Sequence, residues 1–107
     1  MSGRIQQLEA FAHEDPQDPF NLYALALEHA KSDRRKAIDI YNQLLKTHPD
    51  YVPTYYQLGK LHIEFSENER ALEVFDKGIR ITREQKDHKA LRELQSARQE
   101  LLSDLED

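Results

Sequence analysis

The sequence predicts an all-α protein of about six helices, arranged as an α-solenoid of antiparallel helix pairs. Three observations predict it. The 107 residues include only 3 Gly and 4 Pro, little material for hairpin turns, while the good helix formers Leu, Ala, Glu, Gln, Lys and Arg are abundant. Apolar residues recur at spacings of three and four between stretches of proline and capping residues. The pattern also repeats: Pro19 and Pro53, Ala37 and Ala71, Tyr41 and Phe75, and Leu45 and Ile79 are each 34 residues apart.

The elements follow in order. Residues 3–14 carry Ile5, Leu8, Phe11 and Ala12 at helical spacing, after a cap expected at Ser2. The run from Glu14 to Pro19 ends that helix, because proline lacks a donor and restricts the residue before it. Asp18 reads as the next N-cap with Pro19 at the first helical position, and Leu22, Leu25, Ala26 and His29 share one face. Ser32-Asp33 marks a turn. A third helix has the stripe Ala37, Ile38, Tyr41, Leu44 and Leu45 and stops near His48-Pro49-Asp50. A fourth begins at Pro53 and shows Tyr55, Leu58, Gly59 and His62. Ser66-Glu67-Asn68-Glu69 has the form of a capping box. It introduces a fifth helix with Ala71, Leu72, Phe75, Gly78 and Ile79. Asp87 caps a sixth with Leu91, Leu94, Ala97 or Arg98, Leu101 and Leu105, and residues 103–107 are expected to fray.

A period of 34 residues with two helices per unit is that of the tetratricopeptide repeat. The second unit reads Tyr55-x2-Leu58-Gly59-x2-His62, then Ala71-x3-Phe75. The first reads Leu22-x2-Leu25-Ala26-x2-His29, then Ala37-x3-Tyr41, then Pro49. Over residues 18–84 the chain resembles that family, and in its overall pattern it looks like small stand-alone bacterial members. It departs from the family at His29 and His62, where tyrosine is usual, and at Arg83, which replaces the terminating proline and lets the fifth helix run on. The first unit also has one residue fewer than the second between the histidine and the alanine. The organisation expected from the resemblance is an N-terminal capping helix and linker (1–17), repeats at 18–51 and 52–85, and a C-terminal capping helix (86–107).

Gly59 and Ala26 are small where the helices of a pair approach, with Ala71 and Ala37 opposite them. Tyr41 and Phe75 are expected to fill the space between successive units. One pair cannot bury its apolar face alone, so the first and sixth helices serve as covers. The polar face of the sixth (Arg92, Glu93, Arg98, Gln99) would seal the array.

Composition excludes several functions. Without Cys there are no disulfides or thiolate metal sites. The net charge of -5 gives no attraction to phosphate backbones, so no nucleic acid is expected. No stretch reaches the roughly 20 apolar residues of a membrane span, and Met1 to Arg4 leads into a mixed segment rather than an apolar leader. The expected location is the cytoplasm. His13, His29, His48, His62 and His88 never fall at the spacing of a helical metal pair. No phosphate loop, dinucleotide fingerprint or nucleophile elbow is present. Ser32, Ser66 and Ser96 read as turn, cap and surface residues. No catalytic, metal or cofactor site is expected, and the chain is not expected to be an enzyme.

The resemblance implies a protein-interaction module that takes a partner segment in a concave groove lined by the first helix of each pair. Its register places Phe20, Tyr23, Leu27 and Lys31 there in the first unit, and Tyr56, Lys60, Ile63 and Glu64 in the second. The sixth helix adds Lys89, Arg92 and Glu93. Exposed aromatics beside charges suit an interface. The competing expectation is that Phe20 and Tyr23 pack on the first helix or the linker. The Lys and Asn clamp by which one subclass holds chaperone tails is missing, since Tyr23 and Leu27 stand at its positions in the first unit. A different expectation is self-association, as a weak homodimer rather than a monomer, through Leu91, Leu94, Leu101, Leu102 and Leu105.

Overall fold

The carboxylate of Asp18 accepts a hydrogen bond from Phe20 N at 3.0 Å, and Pro19 takes the first helical position. Asp33 caps the next helix through Lys36 N at 3.1 Å. Asp87 does the same through Ala90 N at 3.2 Å. These caps satisfy backbone donors that a helix start leaves open. The resulting helices are α1 (Ser2–Glu14), α2 (Pro19–Ala30), α3 (Arg34–Thr47), α4 (Pro53–Glu64), α5 (Asn68–Gln85) and α6 (His88–Glu106). The computed structural model describes residues 2–106, with side chains from Gly3 onward, and contains no strand among them. The cap expected at Ser2 rests on a side chain outside the described residues. Residues 103–106, expected to fray, are helical.

The chain forms two compact units, one up to Tyr51 and one from Val52. In the first, α2 packs against α1 and α3. Leu8, Leu25, Ala26, Ala37, Ile38, Tyr41 and Leu44 are buried. Phe11 corrects the stripe read for α1, since it is 45% exposed. The main neighbour of α1 is α2, and a single neighbour covers only a narrow stripe centred on Leu8. Asn21 Nδ2 ties the helices together by donating to the Phe11 carbonyl oxygen at 3.4 Å. His48 Nε2 lies 3.1 Å from the Gln17 carbonyl oxygen, so this nitrogen carries the hydrogen and pins the α1–α2 linker to the end of α3.

In the second unit α5 packs against both α4 and α6, and α6 also meets α4. Two glycines set the helix separations. A Cβ on Gly59 would overlap the Phe75 ring, and one on Gly78 would stand 2.7 Å from Tyr55 Cβ and 2.9 Å from Leu94 Cδ1. The atoms nearest to Gly59 are those of the Phe75 ring, so Phe75 covers its own pair. Leu94 and Leu101 of α6 are buried. The polar face expected to seal the array is partly used: Arg98 Nε donates to Asp76 Oδ1 of α5 at 2.6 Å.

The capping box at Ser66 does not form. Ser66 adopts φ 58°, in the left-handed region. Ser66 N donates to Ile63 O at 2.9 Å and Glu67 N to His62 O at 2.8 Å. This is a Schellman end to α4, which places Ser66 in the turn before the N-cap. Glu67 becomes the N-cap of α5 without a side-chain capping bond, because its carboxylate pairs with His62 Nδ1 at 2.9 Å. The left-handed residue absorbs the extra position of the second unit. In the first unit Lys31 stays right-handed, at φ -70°. Lys86, at φ 59°, ends α5 by the same motif, with Asp87 N donating to Thr82 O at 2.9 Å. Without proline at Arg83, α5 runs 18 residues against 14 for α3.

Gly59→Ala should destabilise the protein by about 2 kcal/mol despite the better helix propensity of alanine, because the fully buried Phe75 ring has nowhere to go. Urea denaturation checks it. Ser66→Gly and Lys86→Gly should each stabilise by about 0.5–1 kcal/mol, since glycine carries no left-handed penalty. A lower thermal midpoint for either variant would contradict the assigned turns.

Candidate protein-interaction surface

Helical periodicity divides α4 into two faces. Tyr55, Leu58, Gly59 and His62 are buried, while Tyr56, Lys60, Ile63 and Glu64 turn the other way. These four form one wall of a cleft of about 500 Å³. The opposite wall comes from α6: Glu93, Ser96, Ala97, Glu100, Leu101 and Asp104. Phe75, fully buried, reaches the cleft from α5. The apolar part is thus Ile63, Phe75, Ala97 and Leu101 with the Tyr56 ring beside them. The Lys60 ammonium lies 5.4 Å from the centre of that ring, within cation–π range.

The register of α6 differs from the expected one. Its lining positions recur at 93, 96–97, 100–101 and 104, on the flank of the buried Leu94 and Leu101. Helical positions lie about 100° apart, so Arg92 points away from this line and is exposed without lining the cleft. Lys89 lies near the line but one turn before it begins. Of the α6 residues expected, the cleft contains Glu93. Sequence reasoning missed Ser96, Ala97, Glu100 and Asp104. The available signal was the helical spacing from Glu93, once Leu94 and Leu101 are taken as the buried side.

The first-unit candidates lie on α2. Phe20 is 57% exposed and Leu27 38%. Lys31 Nζ pairs with Glu28 Oε1 at 3.2 Å, and Arg4 Nε approaches the same oxygen at 4.0 Å. Tyr23 belongs to an aromatic cluster. Its ring lies 6.0 Å from that of Tyr41 and 5.6 Å, edge to face, from that of Tyr51.

The Tyr41 hydroxyl is buried without a hydrogen-bond partner. Burial, with a smaller contribution from Tyr23, pushes its ionisation well above the ordinary tyrosine range. Burial likewise raises Tyr51, with smaller contributions from Tyr23 and Asp18. A phenol whose folded-state pKa is raised stabilises the fold below its unfolded pKa near 10, and that stability is lost as pH climbs above it.

Two histidines make contacts within the scaffold and a third is buried. His62 donates to Glu67, His48 holds the linker, and His29 Nε2 is buried without a partner. Among the described residues no three His, Asp or Glu side chains gather as a metal would require, and no helix is long and apolar enough to cross a membrane.

Six helices among the described residues, a 34-residue period and close helix contacts at glycine define a helical-repeat protein of the all-α class. A tetratricopeptide repeat family model matches residues 28–95, and the chain belongs to that family. A solution structure of a tetratricopeptide repeat domain protein from Salinibacter ruber is 43% identical, covering 81% of this chain and 89% of that one, with a TM-score of 0.77. A crystal structure of a tetratricopeptide repeat domain protein from the same organism is 41% identical, covering 81% and 98%, with a TM-score of 0.76. The crystal structure of MamA protein, 23% identical over 92% of this chain and 57% of that one, has a TM-score of 0.65 and shares the fold. A comparison with curated proteins gave no match. Family membership makes this chain one of a class that generally mediates protein interactions and is generally non-catalytic.

Tyr41→Phe, which places the second unit's residue type in the first, should be neutral or stabilising by about 1 kcal/mol because it deletes an unsatisfied buried hydroxyl. It should also flatten the loss of stability above about pH 10. Denaturation curves at neutral and alkaline pH test both.

Proposed function

We propose that the protein is a non-catalytic adaptor that holds a segment of a partner protein in the cleft between α4 and α6. The observation that supports this reading is the cleft itself. It sets an aromatic ring and aliphatic side chains beside charged groups on two packed helices. Interface hot spots combine an anchor of this kind with a polar rim. Tyr56 is the anchor, Ile63 extends the apolar wall, and Lys60 and Glu64 stand at the rim. In the first unit the same reading assigns Phe20, Leu27 and Lys31 as contact residues, with Tyr23 supporting them from its tyrosine cluster. Arg92 has no place in the cleft and would contact a partner only from the outer face of α6. A net charge of -5 disfavours nucleic acid as the partner.

Self-association through α6 is the weaker alternative. Leu94 and Leu101 are buried within the chain, Leu91 and Leu102 are half-buried, and Leu105 remains exposed at 51%. Little of the leucine stripe is left to pair with a second copy.

The test compares wild type with a Tyr56→Ala, Ala97→Gln variant as baits in native lysate, after circular dichroism shows both folded. Alanine removes the anchor, and glutamine fills the cleft with a helix-compatible side chain. A protein captured by wild type and lost by the variant supports the cleft. A partner retained equally by both would move the contact elsewhere and reject this assignment.

A further inference from the structure

The cleft is strongly asymmetric in charge. Glu64, Glu93, Glu100 and Asp104 line it against one ammonium, that of Lys60. Three of the carboxylates lie on α6 at 93, 100 and 104, so they run along one wall. Glu100 and Asp104 are like charges one helical turn apart, an arrangement that destabilises a helix. The cations of the same helix do not offset them at the cleft. Lys89 and Arg92 lie outside the lining, and Arg98 is committed to Asp76 on the far side. A solvated face of mixed charge would interleave the signs. Here an acidic wall borders an apolar strip formed by Ile63, Ala97 and Leu101.

We infer that the occupant of the cleft is a cationic segment of a partner protein, with lysine or arginine side chains along the Glu93–Asp104 wall and an apolar side chain set beside Tyr56. This inference rests on the reading of the cleft as the docking site and adds the chemistry of what docks. The wall from Glu93 to Asp104 is about 16 Å long at 1.5 Å per residue, which suits a short segment rather than a whole domain face. A partner arginine can reach the Tyr56 ring as the Lys60 ammonium does, and a basic segment relieves the repulsion between Glu100 and Asp104. Complementary charge of this kind steers encounter and selects among partners.

The probe is a capped, fluorescein-labelled peptide of about 12 residues, a length that spans the wall as a helix, with leucines at spacings of three and four on one face and arginine and lysine on the other. Two controls replace every basic residue by glutamate or every leucine by glycine. Anisotropy titrations of wild type should show binding of the cationic amphipathic peptide, weaker binding of its glycine control and none of its glutamate control. Combined Glu93→Gln, Glu100→Gln and Asp104→Asn should weaken the cationic peptide by about tenfold or more, the sum of three rim charges. Lys60→Gln should tighten it. Combined Glu9→Gln, Asp39→Asn and Glu73→Gln removes the same charge from exposed sites outside the cleft lining and should change little. Circular dichroism confirms that each variant is folded.

Equal weakening by both triple variants would reduce the effect to general attraction and overturn the inference. Failure of the cationic peptide to bind wild type would overturn it as well. If the glutamate peptide binds as tightly, and Tyr56→Ala abolishes both, the docking role of the cleft survives while its cationic specificity falls. If light scattering finds wild type self-associated and the cleft triple variant monomeric, the occupant is a second copy and the inference is wrong.

Discussion

A phenyl ring lies directly against a helix backbone at Gly59, and the second unit is arranged around that approach. Phe75 can sit there because position 59 has no Cβ. A helix-interior glycine costs about 1 kcal/mol in propensity, and the close packing of a fully buried aromatic ring offsets it. Gly78 makes the matching allowance one turn further along α5, where Tyr55 of α4 and Leu94 of α6 converge. One helix is thereby held against two neighbours at short distance. The cleft between α4 and α6 is the space left beyond that contact, with the buried Phe75 beneath it.

The first unit solves the same problem with other residues. Ala26 stands where the second unit has Gly59, and Tyr41 where it has Phe75. The hydroxyl of Tyr41 is a polar group the site does not satisfy, although the ring joins Tyr23 in an aromatic cluster that continues to Tyr51. The repeat tolerates such variation because its requirement is steric: a small residue on one helix and a flat ring on the next. The histidines show similar latitude. His62 finds Glu67, whereas the buried nitrogen of His29 finds no partner.

Charge is arranged in two ways in the second unit. Arg98 and Asp76 bind α6 to α5 across their outer faces. The like charges of Glu100 and Asp104, facing the cleft one turn apart, repel one another. Side chains placed against local helical preference mark sites where another demand acts on the sequence. Here the demand is attributed to the partner.

The sequence by itself determined the helices, the repeat and the caps at Asp18 and Asp87. Proline and aspartate punctuation is local chemistry, acting through backbone donors a few residues away, so the caps at Asp18 and Asp87 were legible without any tertiary information, and Ser32-Asp33 was legible as a turn. The 34-residue period was legible because each copy must meet the same packing requirement. The α4 side of the candidate site, Tyr56, Lys60, Ile63 and Glu64, followed from the phase set by Tyr55, Leu58 and Gly59. The tertiary structure decided what depends on a neighbour. Ser66 looked like a capping residue, but the chain needed a left-handed turn there and Glu67 was drawn to His62. Phe11 belonged to an apolar stripe that one covering helix was too narrow to bury. The α6 wall of the cleft could not be phased from sequence, since several leucines competed for the buried side. Only packing against α5 and α4 selected Leu94 and Leu101, and so turned Glu93, Glu100 and Asp104 toward Tyr56.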